Sequence, residues 1–190
     1  MPKKPDPELE VRIVAAALRL LDRGGDHAVT MRSVAAEAKT TTPTIYERFR
    51  DRDALMQGVV QEAARELLDA MEPHASIEEM FDAYLQFNAA RPMRFNLTLE
   101  TFGARLVSGE RMPVFDLVRS RIRQKLGISA QESEDISLAV ASLLFGTVRG
   151  MIAAGADSHH ARELKRTSLS ALQKLLAAFS QERPGGKRLK

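Results

Sequence analysis

Apolar residues recur along this chain at helical spacing. The clearest short stretch is residues 30–49. Met31, Val34, Ala35 and Ala38 fall at i, i+3, i+4 and i+7, one stripe of a 3.6-residue helix. Thr30 is placed to cap it, its hydroxyl accepting from an amide of the first turn that has no helical partner. Thr40, Thr41 and Thr42 then break the pattern, because hydroxyl side chains favour caps and turns over helix interiors. Pro43 restarts it, since a first turn does not need the missing N–H. Thr41 and Thr42 are equally placed to cap this second helix. It keeps only Ile45 and Phe49 for burial, and it turns Thr42, Thr44, Glu47 and Arg48 outward, with Tyr46 on the flank.

The rest of the pattern predicts about nine helices and no strand. The first runs from about Pro7 to Arg23, with Ile13, Ala17, Leu20 and Leu21 inward and Gly24-Gly25 as its stop. Asp51 caps a fourth that runs to about Glu72, lined by Leu55, Val59, Ala63, Leu67 and Met71. Ser76 with Glu79, and Ser129 with Glu132, are Ser-x-x-Glu capping boxes opening the fifth and eighth helices. The sixth is expected to be short, stopping near Gly103, with loop to Arg111; the seventh spans about Pro113 to Leu126. The eighth reaches about Ala154 and is apolar nearly all round from Leu138 to Ile152. Gly146 and Gly150 inside it cost about 1 kcal/mol each relative to Ala, which points to close approach of another helix. A ninth runs from about Ser158 to Ser180, and the segment 183–190 reads as a disordered basic tail. The expected organisation is a helix-turn-helix head over 1–50, a helical body over 51–182, and that tail.

Two readings fit the outer face of the second short helix. It is either the polar outside of an ordinary helical hairpin or a surface meant for a partner, and the major groove of DNA admits one helix of that width. Charge does not choose between them. The chain carries +3, but the last eight residues alone carry +4, leaving −1 elsewhere. Between residues 27 and 52 the local balance is +2, a modest bias toward phosphate.

The wording of the stretch decides the matter. Thr30, the small-residue helix to Ala38, Pro43-Thr44-Ile45-Tyr46-Glu47-Arg48-Phe49 and then Asp51-Arg52-Asp53-Ala54-Leu55 closely resemble the tetracycline-repressor (TetR) family of bacterial transcription regulators. One departure is Lys39, where the family turn usually carries Gly; a positive φ there would cost about 1 kcal/mol. The resemblance implies an all-α homodimer whose head reads a palindromic DNA operator. Carried over residue by residue, it implies that Arg32, Thr42, Thr44, Tyr46 and Arg48 lie at base edges or the nearby backbone, that Thr30, Thr41 and Arg52 hold phosphates, and that Pro43 belongs to the DNA-binding set. Glu47 sits at a variable family position, where it either accepts from cytosine or repels phosphate.

Other chemistries find no support. The absence of Cys excludes disulfides and thiolate catalysis and suits a reducing cytoplasm. No nucleophile sits beside a base, no Gly-rich loop cradles phosphate, and adjacent His159 and His160 point about 100° apart on a helix, poor geometry for a metal. No enzyme activity, cofactor, metal or membrane segment is expected. Phe81, Met93, Phe95, Phe102 and Phe115 read on their own as ordinary core. The resemblance instead implies that they, with Leu99 and the polar Arg94 and Asn96, line a pocket for a small-molecule inducer. The interface of the dimer is expected on the last two long helices, at Leu143, Gly146, Gly150, Leu164, Leu172, Leu175 and Phe179. The alternative from another class is a helical small-molecule-binding or adaptor protein whose head is only structural.

Overall fold

A computed structural model describes residues 7–181 of the chain. Among them are nine α-helices, one 3-10 turn and no strand: α1 (Pro7–Gly24), the 3-10 turn Asp26–Ala28, α2 (Met31–Glu37), α3 (Thr42–Tyr46), α4 (Arg52–Met71), α5 (Ile77–Ala89), α6 (Pro92–Val107), α7 (Pro113–Leu126), α8 (Ala130–Ala154) and α9 (His159–Gln181). The expected all-α class and its element order hold. The tail expected at 183–190 lies outside the described residues.

The chain forms two compact units. Of the described residues, the first holds those up to Glu66 together with Arg91–Gly109, and the second holds Leu67–Ala90 together with those from Glu110 on. Their limits differ from a cut at residue 50, because α6 packs with α1 inside the first unit. Arg94 of α6 is the polar anchor: its Nε and Nη2 donate to Asp22 at 2.8 and 2.7 Å, and its Nη1 donates to Glu66 at 2.5 Å. Those hydrogen bonds from the Arg94 side hold its guanidinium firmly charged.

Apolar burial organises the first unit around the hairpin. Ile13, Leu21, Val29, Val34, Ile45, Leu55 and Val59 are all at or within 1% of complete burial. Each side chain of that size contributes roughly 1.5–3 kcal/mol when taken out of water. Leu18 joins this core, whereas Leu20, expected inward, is only partly buried against it. Gly58 in the middle of α4 is there for fit. A Cβ on it would meet Phe49 Cε1 at 3.3 Å and Val14 Cγ2 at 3.4 Å, so glycine lets α4 lie close to the hairpin.

In the second unit α8 is the central helix, packed against α5, α7 and α9. Both predicted capping boxes form, Ser76 with Glu79 and Ser129 with Glu132. By length and composition α8 would suffice to cross a membrane. Here its inner face, including Ile136, Val140, Leu144, Val148 and Met151, is buried inside the unit instead. The buried hydroxyls on that face are satisfied: Ser137 donates to the Ser133 carbonyl at 2.5 Å, and Thr147 Oγ1 lies 2.8 Å from Ser168 Oγ of α9.

One expectation about an element fails. α6 does not stop near Gly103 but continues to Val107. A glycine in a helix costs only about 1 kcal/mol, and the good helix formers Ala104, Arg105 and Leu106 carry the helix on. The chain turns instead at Gly109, whose φ is +69°.

Candidate nucleic-acid interface

The hairpin of α2 and α3 is built by three local devices. Thr30 caps α2 in a reciprocal box with Ser33: the Ser33 amide donates to Thr30 Oγ1 at 3.1 Å, and the Thr30 amide donates to Ser33 Oγ at 2.9 Å. Ser33 Oγ also donates to the Ala28 carbonyl at 2.7 Å, tying the helix to the preceding turn. Serine at the third helical position replaces the Glu or Gln usual in such boxes, so the motif was not visible from spacing alone. Thr41, not Thr42, caps α3; it accepts from the Thr44 amide at 3.3 Å, and the two hydroxyls lie 2.8 Å apart.

The third device is the turn itself. Lys39 has φ +53°, the one non-glycine residue with positive φ among the described residues. Its amide donates to the Ala36 carbonyl at 3.2 Å, and that of Thr40 to the Ala35 carbonyl at 2.9 Å. This nested pair closes α2 in the Schellman manner, in which the residue after the cap takes the left-handed conformation. The anticipated strain at Lys39 is therefore present, at about 1 kcal/mol.

Seen from the hairpin, α3 has a narrow inner edge and a wide outer one. Ile45 is fully buried and Phe49 nearly so. On the other side Pro43 and Glu47 are exposed, Tyr46 is 53% exposed, and Thr42, Thr44 and Arg48 are half-buried. Arg32, near the start of α2, is exposed. Arg32, Thr42, Tyr46, Glu47 and Arg48 make no hydrogen bond or ion pair with another side chain among the described residues. Their donors and acceptors are available to a partner.

Thr30, Thr41 and Arg52 stand differently. The hydroxyls of the two threonines belong to their caps. Arg52, at the first position of α4, donates from Nε to the Val29 carbonyl and from Nη2 to the Asp26 carbonyl, both at 2.8 Å. Its Nη2 also lies 2.8 Å from the Asp26 carboxylate. Asp51 caps α4, accepting the Ala54 amide at 2.8 Å, and that bond with the Arg50 contact holds its carboxyl below the ordinary range. On the far side of α2, Glu37 takes Arg19 Nε at 2.8 Å and Arg23 Nη2 at 2.5 Å, which likewise keep it below the usual carboxylate range.

The residues expected to line a pocket are divided between the units. Met93, Arg94, Phe95, Asn96, Leu99 and Phe102 lie in the first, Phe81 and Phe115 in the second. Phe81 and Phe95 are core residues, 1% exposed, while Met93 is 40% exposed. Arg94 is occupied by Asp22 and Glu66. An open groove of about 440 Å³ in the second unit is lined by none of the eight: it lies among Glu78, Lys125, Gln173, Leu176, Ala177 and Ser180.

Among the residues expected to dimerise, Leu172 is 1% exposed and belongs to the chain's own core, because the buried edge of α9 runs through Ala161, Leu172 and Leu176. Gly150 meets α9 of the same chain: a Cβ there would lie 3.2 Å from Leu164 Cδ1. Gly146 has open space before it. Leu164 is 40% exposed, and Leu143, Leu175 and Phe179 are half-buried.

Residues 13–59 match the model of the bacterial regulatory proteins of the tetR family. Solved structures share the fold over nearly the whole chain. The transcriptional regulator SCO7222, a TetR from Streptomyces coelicolor, superposes with a TM-score of 0.71 at 19% identity, covering 90% of this chain and 97% of that one. A putative TetR-family transcriptional regulator from Mesorhizobium loti MAFF303099 gives 0.69 at 15% identity, covering 93% and 98%. A TetR variant from Acinetobacter baumannii AYE in complex with minocycline gives 0.57 at 24% identity, covering 96% and 100%. No curated protein matches the chain. The hairpin with its outward α3, the family match over residues 13–59 and the fold shared along the chain lead to one conclusion: residues 13–59 form a head of the tetR-family kind, on a chain that shares the fold of solved TetR-family regulators.

Proposed function

We propose that the chain is a sequence-specific transcriptional repressor, a binding protein rather than an enzyme, that acts in the cytoplasm as a homodimer on a palindromic operator. The observation that carries this reading is the set Arg32, Thr42, Tyr46, Glu47 and Arg48 on and beside the outer face of α3: side-chain donors and acceptors that bond to no other side chain among the described residues. Arg32 and Arg48 are the direct readers, since a guanidinium can bond guanine O6 and N7 together. Thr42, Pro43, Thr44 and Tyr46 fill out the contact with base edges and adjoining sugar-phosphate, and Glu47 discriminates by accepting from cytosine. Two heads about 34–36 Å apart would engage successive major grooves.

The dimer uses the outer side of α8. Ala139, Ser142, Gly146, Arg149 and Ala153 are all exposed and follow each other at alternating spacings of three and four, a stripe of mostly small residues suited to a second helix. An apolar or amphipathic ligand lowers operator affinity. In support, one structure of the same fold holds minocycline. A ligand acts this way only if it binds the free and operator-bound forms with different affinity.

Selection of duplexes from a randomised pool by the purified full chain tests the reading. A palindromic sequence is enriched, and Arg32→Ala or Arg48→Ala each weakens binding to it by about 1–3 kcal/mol and relaxes preference at one position per half-site. Enrichment of no sequence by the wild-type chain overturns it.

A further inference from the structure

A cation at the first position of a helix is out of place electrostatically, because the helix dipole puts partial positive charge there. Arg52 occupies that position in α4, between Asp51 and Asp53. An arginine used for phosphate would hold its guanidinium outward and uncommitted, as Arg32 and Arg48 do. Arg52 does the reverse. Its Nε and Nη2 donate back to the segment that leads into α2, to the Val29 and Asp26 carbonyls, and Nη2 also lies 2.8 Å from the Asp26 carboxylate.

Apart from Arg52, the side chain that ties that segment is Ser33, whose Oγ donates to the Ala28 carbonyl at 2.7 Å. The segment enters through Gly25, at φ +71°, makes one short 3-10 turn and leaves through Thr30 in extended conformation. Its backbone bonds are few: Ala28 to Gly25, Val29 to Asp26 and Thr30 to Ala28, all at 3.1–3.2 Å. The Val29 side chain is fully buried, so its side-chain end is anchored in the core while its carbonyl is anchored by Arg52. Thr30, the next residue, is the cap that decides where α2 begins, and Arg32 is two residues further on.

We propose that Arg52 is a positioning residue: its guanidinium bridges Asp26 and Val29 to the first turn of α4, sets the start of α2, and thereby places Arg32 against its base pair. The inference rests on the DNA-binding reading for its last step only. It makes the fork, not the charge, the property that matters. Nε and Nη2 hold two carbonyls three residues apart, and a lysine offers a single nitrogen at that distance.

The test compares wild type, Arg52→Lys and Arg52→Gln as full-length chains. The DNA probe is the duplex that wild type enriches most from a randomised pool. Positioning predicts that both variants lose affinity alike, on the order of tenfold. It also predicts that both relax the base preference at the position lost in Arg32→Ala, and that both keep the wild-type dependence of affinity on salt. A phosphate contact predicts that Arg52→Lys binds as wild type does. It further predicts that Arg52→Gln weakens all sequences equally with a log–log salt slope shallower by about 0.9; this outcome overturns the proposal. So does an unchanged base preference in both variants, whatever happens to thermal stability.

Hydrogen exchange without DNA reads the first step alone. The amides of Ser33 and Val34, which close on Thr30, exchange faster in both variants; unchanged protection overturns the proposal. If the wild type enriches no duplex yet these amides lose protection in both variants, Arg52 still sets the start of α2, and it is the DNA-binding reading that fails.

Discussion

Two regions of the first unit sit side by side and use their polar atoms in opposite ways. On the outer face of α3, Thr42, Tyr46, Glu47 and Arg48, and Arg32 next to it, bond to no other side chain among the described residues. In the collar of first turns around that face, Thr30, Thr41, Asp51 and Arg52 bond inward, to amides and carbonyls of the same unit. On the proposed DNA-binding reading, the difference separates residues that contact a partner from residues that fix where the contacting ones stand. A change on the face removes partner energy and leaves the fold alone. A change in the collar disturbs both, because an end of a helix is lost along with any contact made there.

The sharpest way to break this comparison lies within α3 itself, between adjacent positions. Ile45 is completely buried and Tyr46 is 53% exposed. Ile45→Ala opens a cavity under the hairpin and lowers stability by about 2–5 kcal/mol. Tyr46→Ala keeps stability within about 0.5 kcal/mol, as for other exposed substitutions, while weakening DNA binding. Chemical denaturation of the two variants beside a gel shift checks both halves. A Tyr46→Ala chain as unstable as Ile45→Ala would show that the outer face is structural.

How far this division was legible beforehand depends on the range of each interaction. The caps, the hairpin and the cost at Lys39 depend on residues three to five apart, and the spacing of Thr30, Met31, Val34, Ala38 and Pro43 carries them. The choice between Thr41 and Thr42 was not legible, because both have the same side chain and either can precede Pro43; the unit's packing selects Thr41. The partners of Arg52 and Arg94 lie 23 to 72 positions away in sequence, beyond any local pattern, so residues assigned by analogy to phosphate or ligand turn out to be bonded within the chain. Leu172, expected at the interface, is buried within the chain, and for a different reason. The apolar stripe on α9 is broad enough to supply either a core edge or an outer one, and periodicity cannot say which leucine faces which side.

Lys39 sharpens the comparison because it combines features of both regions. It is exposed, like the reading face, but its backbone closes the turn, like the collar. The left-handed φ is free for glycine and costly for lysine, so Lys39→Gly stabilises the head by about 1 kcal/mol. The midpoint of chemical unfolding measures it. A loss of stability instead would mean that the lysine side chain contributes more than its backbone conformation costs.

The smallest effect expected is at Glu37, where α1 is tied to the last residue of α2. Arg19 and Arg23 both donate to its carboxylate and hold it below the ordinary value of 4.5. A carboxyl more acidic in the folded chain than in the unfolded one contributes stability that is complete above 4.5 and disappears as pH falls through the folded value. Both arginines are more than half exposed, at 52% and 60%, so water and salt screen the pair and the contribution is modest. Wild type should therefore be more stable than Glu37→Gln at neutral pH, by an amount that shrinks with added salt and closes as the pH is lowered below 4.5. Unfolding midpoints for the two chains between neutral and acidic pH give the measurement. A gap that stays constant with pH would mean that Glu37 holds α1 by its shape and hydrogen bonds alone, and that its charge adds nothing to the collar.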